Sequence, residues 1–172
     1  MLAVLVAAIA ATVSGAADSK PTSASYIPRA DIEATLKQAP PDSVSDQQVR
    51  VVDVGKAQVA LGAVYRSAKA KQGAVFHDQV SEMYYILEGS GTLVTGGTLV
   101  NPKRRAADEP VVKDINGPSV GGTAIEGGES RRIAPGDVLI IPAGVPHWFS
   151  SIDGEIRYIM FRVDPDKILP LK

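Results

Sequence analysis

The chain has 172 residues, 45% of them hydrophobic and 22% charged, with a formal net charge of −1. That is the length of one domain with enough apolar material for a core, and it lacks the basic stripe by which a nucleic-acid-binding surface neutralises phosphates. There is no cysteine, which excludes disulfides, thiolate metal sites, iron–sulfur clusters and a thiol nucleophile, so any metal site must use His, carboxylate, amide or water.

In chain order, Leu2 to Val13 is almost wholly apolar and is followed by the small residues Ser14, Gly15, Ala16 and Ala17. The run is too short for a bilayer span, which takes roughly 20 residues. Apolar core and small-residue site together read as a signal peptide over residues 1–17, although Lys and Arg are absent from its start. The expectation is an exported protein, periplasmic or secreted, with no stable membrane span. Residues 18–47 are Ser-, Ala- and Pro-rich and read as an N-terminal arm, with a short helix over Asp31–Gln38 and a reach suited to wrapping a partner in a homodimer.

From Gln48 to about residue 165, short runs of Val, Ile, Leu and Tyr alternate with Gly, Pro and Asp. The predicted strands are Val49–Val54, Val59–Arg66, Ala74–Gln79, Glu82–Leu87, Thr92–Thr95, Arg131–Ile133, Val138–Ile141, His147–Ser150 and Ile156–Val163. Many short strands divided by turn residues indicate an all-β sandwich or barrel. Residues 97–129 read as a long connecting loop and 166–172 as a C-terminal tail. The run Lys103-Arg104-Arg105 is followed by Asp108 and Glu109, and reads as surface charge.

Two segments carry chemistry: His77-Asp-Gln-Val-Ser-Glu82 continuing to Gly89, and Gly136 through Pro142-Ala-Gly144-Val-Pro-His147. His77 lies near the end of one predicted strand and Glu82 begins the next, so two inward side chains can share an ion. The Pro142-x-Gly144 turn can aim His147 back inward. Two imidazoles and one carboxylate with open positions suit Fe(II), and also Mn, Ni, Co or Zn.

These segments resemble the two signature motifs of the cupin superfamily, G-x5-H-x-H-x3–4-E-x6-G and G-x5-P-x-G-x2-H-x3-N. His77, Glu82 and Gly89 match the second half of the first, and Gly136, Pro142, Gly144 and His147 match the second in register. Val75 stands at the first-motif histidine, Lys69 at its opening glycine and Ser151 at the second-motif asparagine. The resemblance implies a double-stranded β-helix, or jelly-roll barrel, with one divalent metal held by His77, Glu82 and His147. Gln79, two residues beyond His77, is a candidate for an added amide oxygen.

Around that centre, Tyr84 shares the Glu82 face and is a candidate acid–base residue beside Glu82 itself. Trp148 is a candidate pocket wall. Of Tyr65 and Arg66, alternation lets one face inward, and Arg66 there would clamp a carboxylate substrate. Arg162 and Tyr158 are similar candidates, with solvent exposure the stronger expectation for each. Two functions stand: a metal-dependent enzyme acting on a small molecule by dioxygenase, lyase or isomerase chemistry, and a non-catalytic ligand- or metal-binding module.

Overall fold

The computed structural model describes residues 23–172. The export segment and the start of the arm lie outside the described residues. The helix α1 spans Arg29–Lys37, with Pro28 at its N-cap, Asp31 in the first turn and Lys37 in the last. It buries no residue, so it rides on the outside of the domain. No helix among the described residues is long and apolar enough to cross a membrane.

The strands are β1 (Val44–Asp53), β2 (Gln58–Ser67), β3 (Ala74–His77), β4 (Ser81–Thr95), β5 (Thr98–Val100), β6 (Lys103–Arg104), β7 (Ser119–Gly122), β8 (Ala124–Glu126), β9 (Glu129–Ile133), β10 (Val138–Ile141) and β11 (His147–Asp164). All pairings are antiparallel. The main sheet runs β1-β2-β11-β3-β7-β6, and β4 joins β11, β9 and β10. Strand β11 is the spine. It pairs with β2 over Glu155–Asp164 and with β4 along nearly its whole length, and its first residue, His147, pairs with Val75 of β3.

Alternation along these strands separates two faces. Inward residues Val64, Tyr84, Ile86, Leu93, Ile133, Ile141, Phe149, Ile156, Tyr158 and Met160 form the main core. Outward from β3 and β7, Ala74, Val120, Val94, Leu99 and Ile125 form a second cluster with Phe76 and Trp148 packed on it. Leu99 and Ile125 belong to the two-stranded β5–β8 sheet. That sheet is therefore a cover laid over the outer wall.

Residues 97–129, expected as a loop, hold four strands and a π-helical turn at Val112–Asn116. Their strands are three or four residues long at most, too short for alternation to show in the sequence. The barrel begins at Val44, ahead of Gln48, with a register shift between Gln48 and Arg50. The C-terminal residues are not a loose tail: Leu169 is buried with Val51, Ala60 and Val80, and Val51 and Lys172 exchange backbone hydrogen bonds.

Gly89 shows why a motif glycine is needed. Its φ is +75°, and a Cβ there would lie 1.9 Å from the Glu155 carbonyl oxygen. Any side chain would force β4 and β11 apart at the point where both bend.

Candidate metal centre

His77 ends β3, Glu82 is the second residue of β4 and His147 opens β11. His77 and Glu82 are five residues apart, and the distant His147 is brought to them by the turn at Pro142–Gly144. The Gly144 N–H donates to the His77 carbonyl at 2.7 Å, and the Ala143 N–H donates to Ser81 Oγ at 3.1 Å. Gly144 has φ +79°, a conformation that glycine adopts without strain. The turn is thus pinned to both strands of the first motif, and the chain re-enters the barrel with His147 pointing inward.

The three side chains are almost closed off, at 3%, 3% and 5% exposure for His77, Glu82 and His147. His77 Nε2 lies 3.3 Å from Glu82 Oε1, and His147 Nε2 lies 3.4 Å from Glu82 Oε2. The outer ring nitrogens are both occupied. His147 Nδ1 faces the Val145 carbonyl at 3.1 Å, which can only accept. His77 Nδ1 faces Ser119 Oγ at 2.9 Å. The Ser119 hydroxyl donates onward to the Gly117 carbonyl at 2.7 Å, so its oxygen is left to accept from His77. Both imidazoles therefore carry a proton on Nδ1, and both turn Nε2 toward the carboxylate. Oriented histidines of this kind are the usual surroundings of a metal ligand. A donor set of two nitrogens and one carboxylate fits a divalent ion, with ligand atoms all within 4.8 Å of one another.

Two groups hold Glu82 from behind. The Tyr84 hydroxyl donates to Oε2 at 2.9 Å, and Arg162 Nε donates to Oε1 at 3.2 Å. Arg162 is fully buried, as is Tyr158, so the expected exposure of both is corrected. Arg162 sits directly opposite Glu82 in the β4–β11 register, on the inward face. It also forms an ion pair with Asp46 of β1. Gly62 makes room for it, since a Cβ there would lie 3.1 Å from Arg162 Nη1.

Burial alone would raise the Glu82 pKa, but His77, then Arg162 and His147, outweigh it and hold the carboxyl well below its ordinary range. Burial pushes His147 down to about 4 against the pull of Glu82. Tyr84 is pushed well above its ordinary value, first by burial and then by the Glu82 charge. A phenol so held keeps its proton near neutral pH, which makes Tyr84 a donor that orients Glu82.

The remaining expected residues divide. Arg66 does face inward. Its Nε donates to Tyr158 Oη at 2.8 Å and its Nη1 to Gln72 Oε1 at 3.2 Å, and its guanidinium lies 5.2 Å over the Phe149 ring. Gln79 is not placed beside His77 by strand alternation, because β3 stops at His77 and Gln79 lies in the bend that follows. Trp148 faces away from His147 onto the outer cluster, with its indole N–H donating to the Gln72 carbonyl at 3.3 Å. Ser119 is the site residue that sequence reasoning missed, and Arg162, a candidate there, was expected at the surface. Arg162's position in β11, with its alternation against Ile156, Tyr158 and Met160, was the available signal. The basic run is only partly surface charge: Lys103 and Arg104 are exposed, but Arg105 is half-buried over Gly121, with Nε lacking a partner.

Comparison with known proteins finds no match among curated proteins. Among solved structures, an uncharacterised conserved protein with a double-stranded β-helix domain from Klebsiella pneumoniae is 9% identical, with a TM-score of 0.50, covering 80% of this chain and 89% of that one. The DMSP lyase DddQ from Ruegeria pomeroyi is 18% identical, with a TM-score of 0.45, covering 75% of this chain and 52% of that one. The polyketide cyclase RemF from Streptomyces resistomycificus is 17% identical, with a TM-score of 0.41, covering 70% and 64%. At these identities the likeness concerns the fold alone. The family pattern described as Cupin matches residues 37–169, and with both motif halves converging on one buried His–Glu–His set, the chain belongs to the cupin family.

Proposed function

We propose that the chain is a metal-dependent cupin enzyme acting on a small organic substrate, of dioxygenase or lyase/isomerase type. The observation that carries this reading is the pair of imidazole Nε2 atoms turned toward one buried carboxylate, three donor atoms close enough to share one cation. Arg162 sets one positive charge against two carboxylates, Asp46 and Glu82, which leaves net negative charge for an ion. A bound Fe, Mn, Ni, Co or Zn ion would supply Lewis-acid polarisation of a substrate oxygen, or redox chemistry with O₂. The chain's own residues do the holding. Ser119 and the Val145 carbonyl fix the two imidazoles, while Tyr84 and Arg162 fix the carboxylate.

A second reading, a non-catalytic metal- or ligand-binding module, is favoured by one observation: the near closure of all three ligands from solvent. Elemental analysis of protein purified without chelators separates these outcomes. Near one equivalent of a transition metal, lost in His77→Ala and in His147→Ala, supports the centre. No metal, with no uptake on reconstitution, sinks it. Given metal, a Glu82→Gln variant that keeps its fold but loses turnover supports the enzyme; one that loses only affinity supports the module.

Export and a homodimer belong to the same proposal. Export rests on the apolar run Leu2–Val13, and the dimer on Tyr85, Val138 and Ile140, exposed on neighbouring strands. Native and denaturing intact-mass measurement reads both. A monomer beginning at Met1 after expression in a secreting host would overturn both.

A further inference from the structure

The His–Glu–His set is almost sealed, and part of that seal is not made by strands. Val51, Ala60, Arg162 and Glu82 are successive cross-strand partners on β1, β2, β11 and β4. On one side this row is followed by Met160 and Tyr84 of the main core. On the other, Val51 and Ala60 meet Val80, from the bend before β4, and Leu169. Leu169 is 2% exposed, and it comes from residues 167–172, which follow β11 and belong to no helix or strand. This strap touches the site a second time. Ile168 packs on Gly117, where a Cβ would lie 2.4 Å from Ile168 Cδ1. The Gly117 carbonyl accepts from Ser119, which in turn holds His77.

The strap is lightly held for a segment that covers a buried site. Leu169 is its one buried side chain. Its backbone is tied by the Leu169 N–H, which donates to Asp164 Oδ2 at 2.8 Å, and by the bonds exchanged between Lys172 and Val51. Lys167 and Lys172 add side-chain bonds to Asp53 and to the Gln48 carbonyl. Lys167 opens the strap at φ +55°, a left-handed conformation that strains a residue with a Cβ. Beside the strap, Gln48 Oε1, Gln58 Oε1 and Asp164 Oδ1 are buried without a hydrogen-bond partner. Buried acceptors left unpaired favour a movement that admits water. A recess of about 350 Å³ lies between Pro170–Lys172 and the turn at Asp114 and Ile115, so that edge of the strap rests against space and not against packed chain.

We propose that residues 167–172 are the lid of this site, with Leu169 as its plug and Lys167 as its hinge, and that a ligand reaches His77, Glu82 and His147 when the strap lifts. The near closure of the three side chains is then the resting state of a gated site. Lifting uncovers Val51, Ala60 and Val80 beside Glu82, an apolar mouth next to a polar centre. Such a mouth suits a small molecule with an apolar body and one polar end. Use of the opening by a substrate rests on the proposed enzyme; the opening itself does not.

His77 and His147 are the chain's two histidines, so their reaction with diethyl pyrocarbonate reads access to the site with no metal present. Peptide mass mapping of the metal-free full chain follows it. Val51 and Lys172 exchange both backbone bonds, which sets their Cα atoms about 5.5 Å apart, within reach of a disulfide. The chain has no cysteine of its own, so a Val51→Cys/Lys172→Cys variant locks the strap on oxidation and frees it on reduction. Modification is expected to be slower by roughly tenfold or more in the oxidised form than in the reduced one, and faster by a similar factor in Leu169→Ala than in the native chain. Leu99→Ala, a truncation under the β5–β8 cover, is expected to leave the rate near that of the native chain. Equal rates in the oxidised and reduced forms overturn the proposal, and so does a Leu99→Ala rate as high as that of Leu169→Ala. Loaded with Co(II) while reduced, the double variant should give the ion up to a chromophoric chelator more slowly once oxidised. No uptake of Co(II), with the lock still governing the histidines, removes the metal centre and leaves the lid standing.

Discussion

Two arginines enter the same barrel from neighbouring strands, and their surroundings differ in kind. Arg162, on β11, is fully buried between Glu82 and Asp46. Arg66, on β2, touches a phenol, an amide and an aromatic ring, and no carboxylate. The first region sets one cation against two carboxylates and steadies Glu82. The second meets its cation with neutral oxygens and a ring face, and Asp46 acts on it only from a distance. A buried charge with a close counter-charge depends on that partner, whereas one held by neutral groups does not.

The largest effect should come from breaking the first region. Arg162→Met leaves Glu82 and Asp46 both without a cation and is expected to cost about 3–5 kcal/mol in urea unfolding. Arg66→Met leaves no carboxylate stranded, and its expected cost is near that of ordinary hydrogen bonds, about 1–2 kcal/mol. Equal losses would erase the comparison.

Acid should act next, and through the same region. In the folded chain His147 titrates at about 4, below its ordinary 6.5, so the unfolded chain binds the proton first. Stability of the metal-free protein is then complete above pH 6.5 and lost as the pH falls toward 4, by up to about 3 kcal/mol. Glu82, held low, adds loss in the same direction at still lower pH. Urea midpoints measured across this range should fall in the native chain and flatten in His147→Asn. Parallel slopes in the two would refute the burial of an uncharged imidazole.

The smallest change sharpens the role of Tyr84. Tyr84→Phe removes one hydrogen bond to a charged acceptor, about 1.5–3 kcal/mol, and should weaken metal affinity by roughly 10-fold or more through a freer Glu82. Competition with a chromophoric chelator measures the affinity. Unchanged affinity with reduced stability would make Tyr84 a packing residue alone.

Much of this was legible in the residues. The spacing of His77 and Glu82, and the Gly136–Pro142–Gly144–His147 register, pointed through the cupin resemblance to both the barrel and the three candidate ligands, while strand alternation and turn chemistry, which are local rules, indicated an all-β chain. Alternation also separated Tyr65 from Arg66 and placed Tyr84 with Glu82. It failed where a strand ended early, as at Gln79, and where strands were too short to show a period, as between residues 97 and 129.

What the amino-acid order determined by itself was the fold class and the identity of the side chains that gather at the candidate centre, since these depend on residue type at fixed spacing. Only the tertiary structure decided which charges meet. Arg162 faces Asp46 across more than a hundred residues, Ser119 reaches His77 from a segment that reads as loop, and Trp148 turns outward because the β5–β8 cover offers it an apolar surface. Such pairings depend on strands brought together from distant parts of the chain, and no local pattern records them.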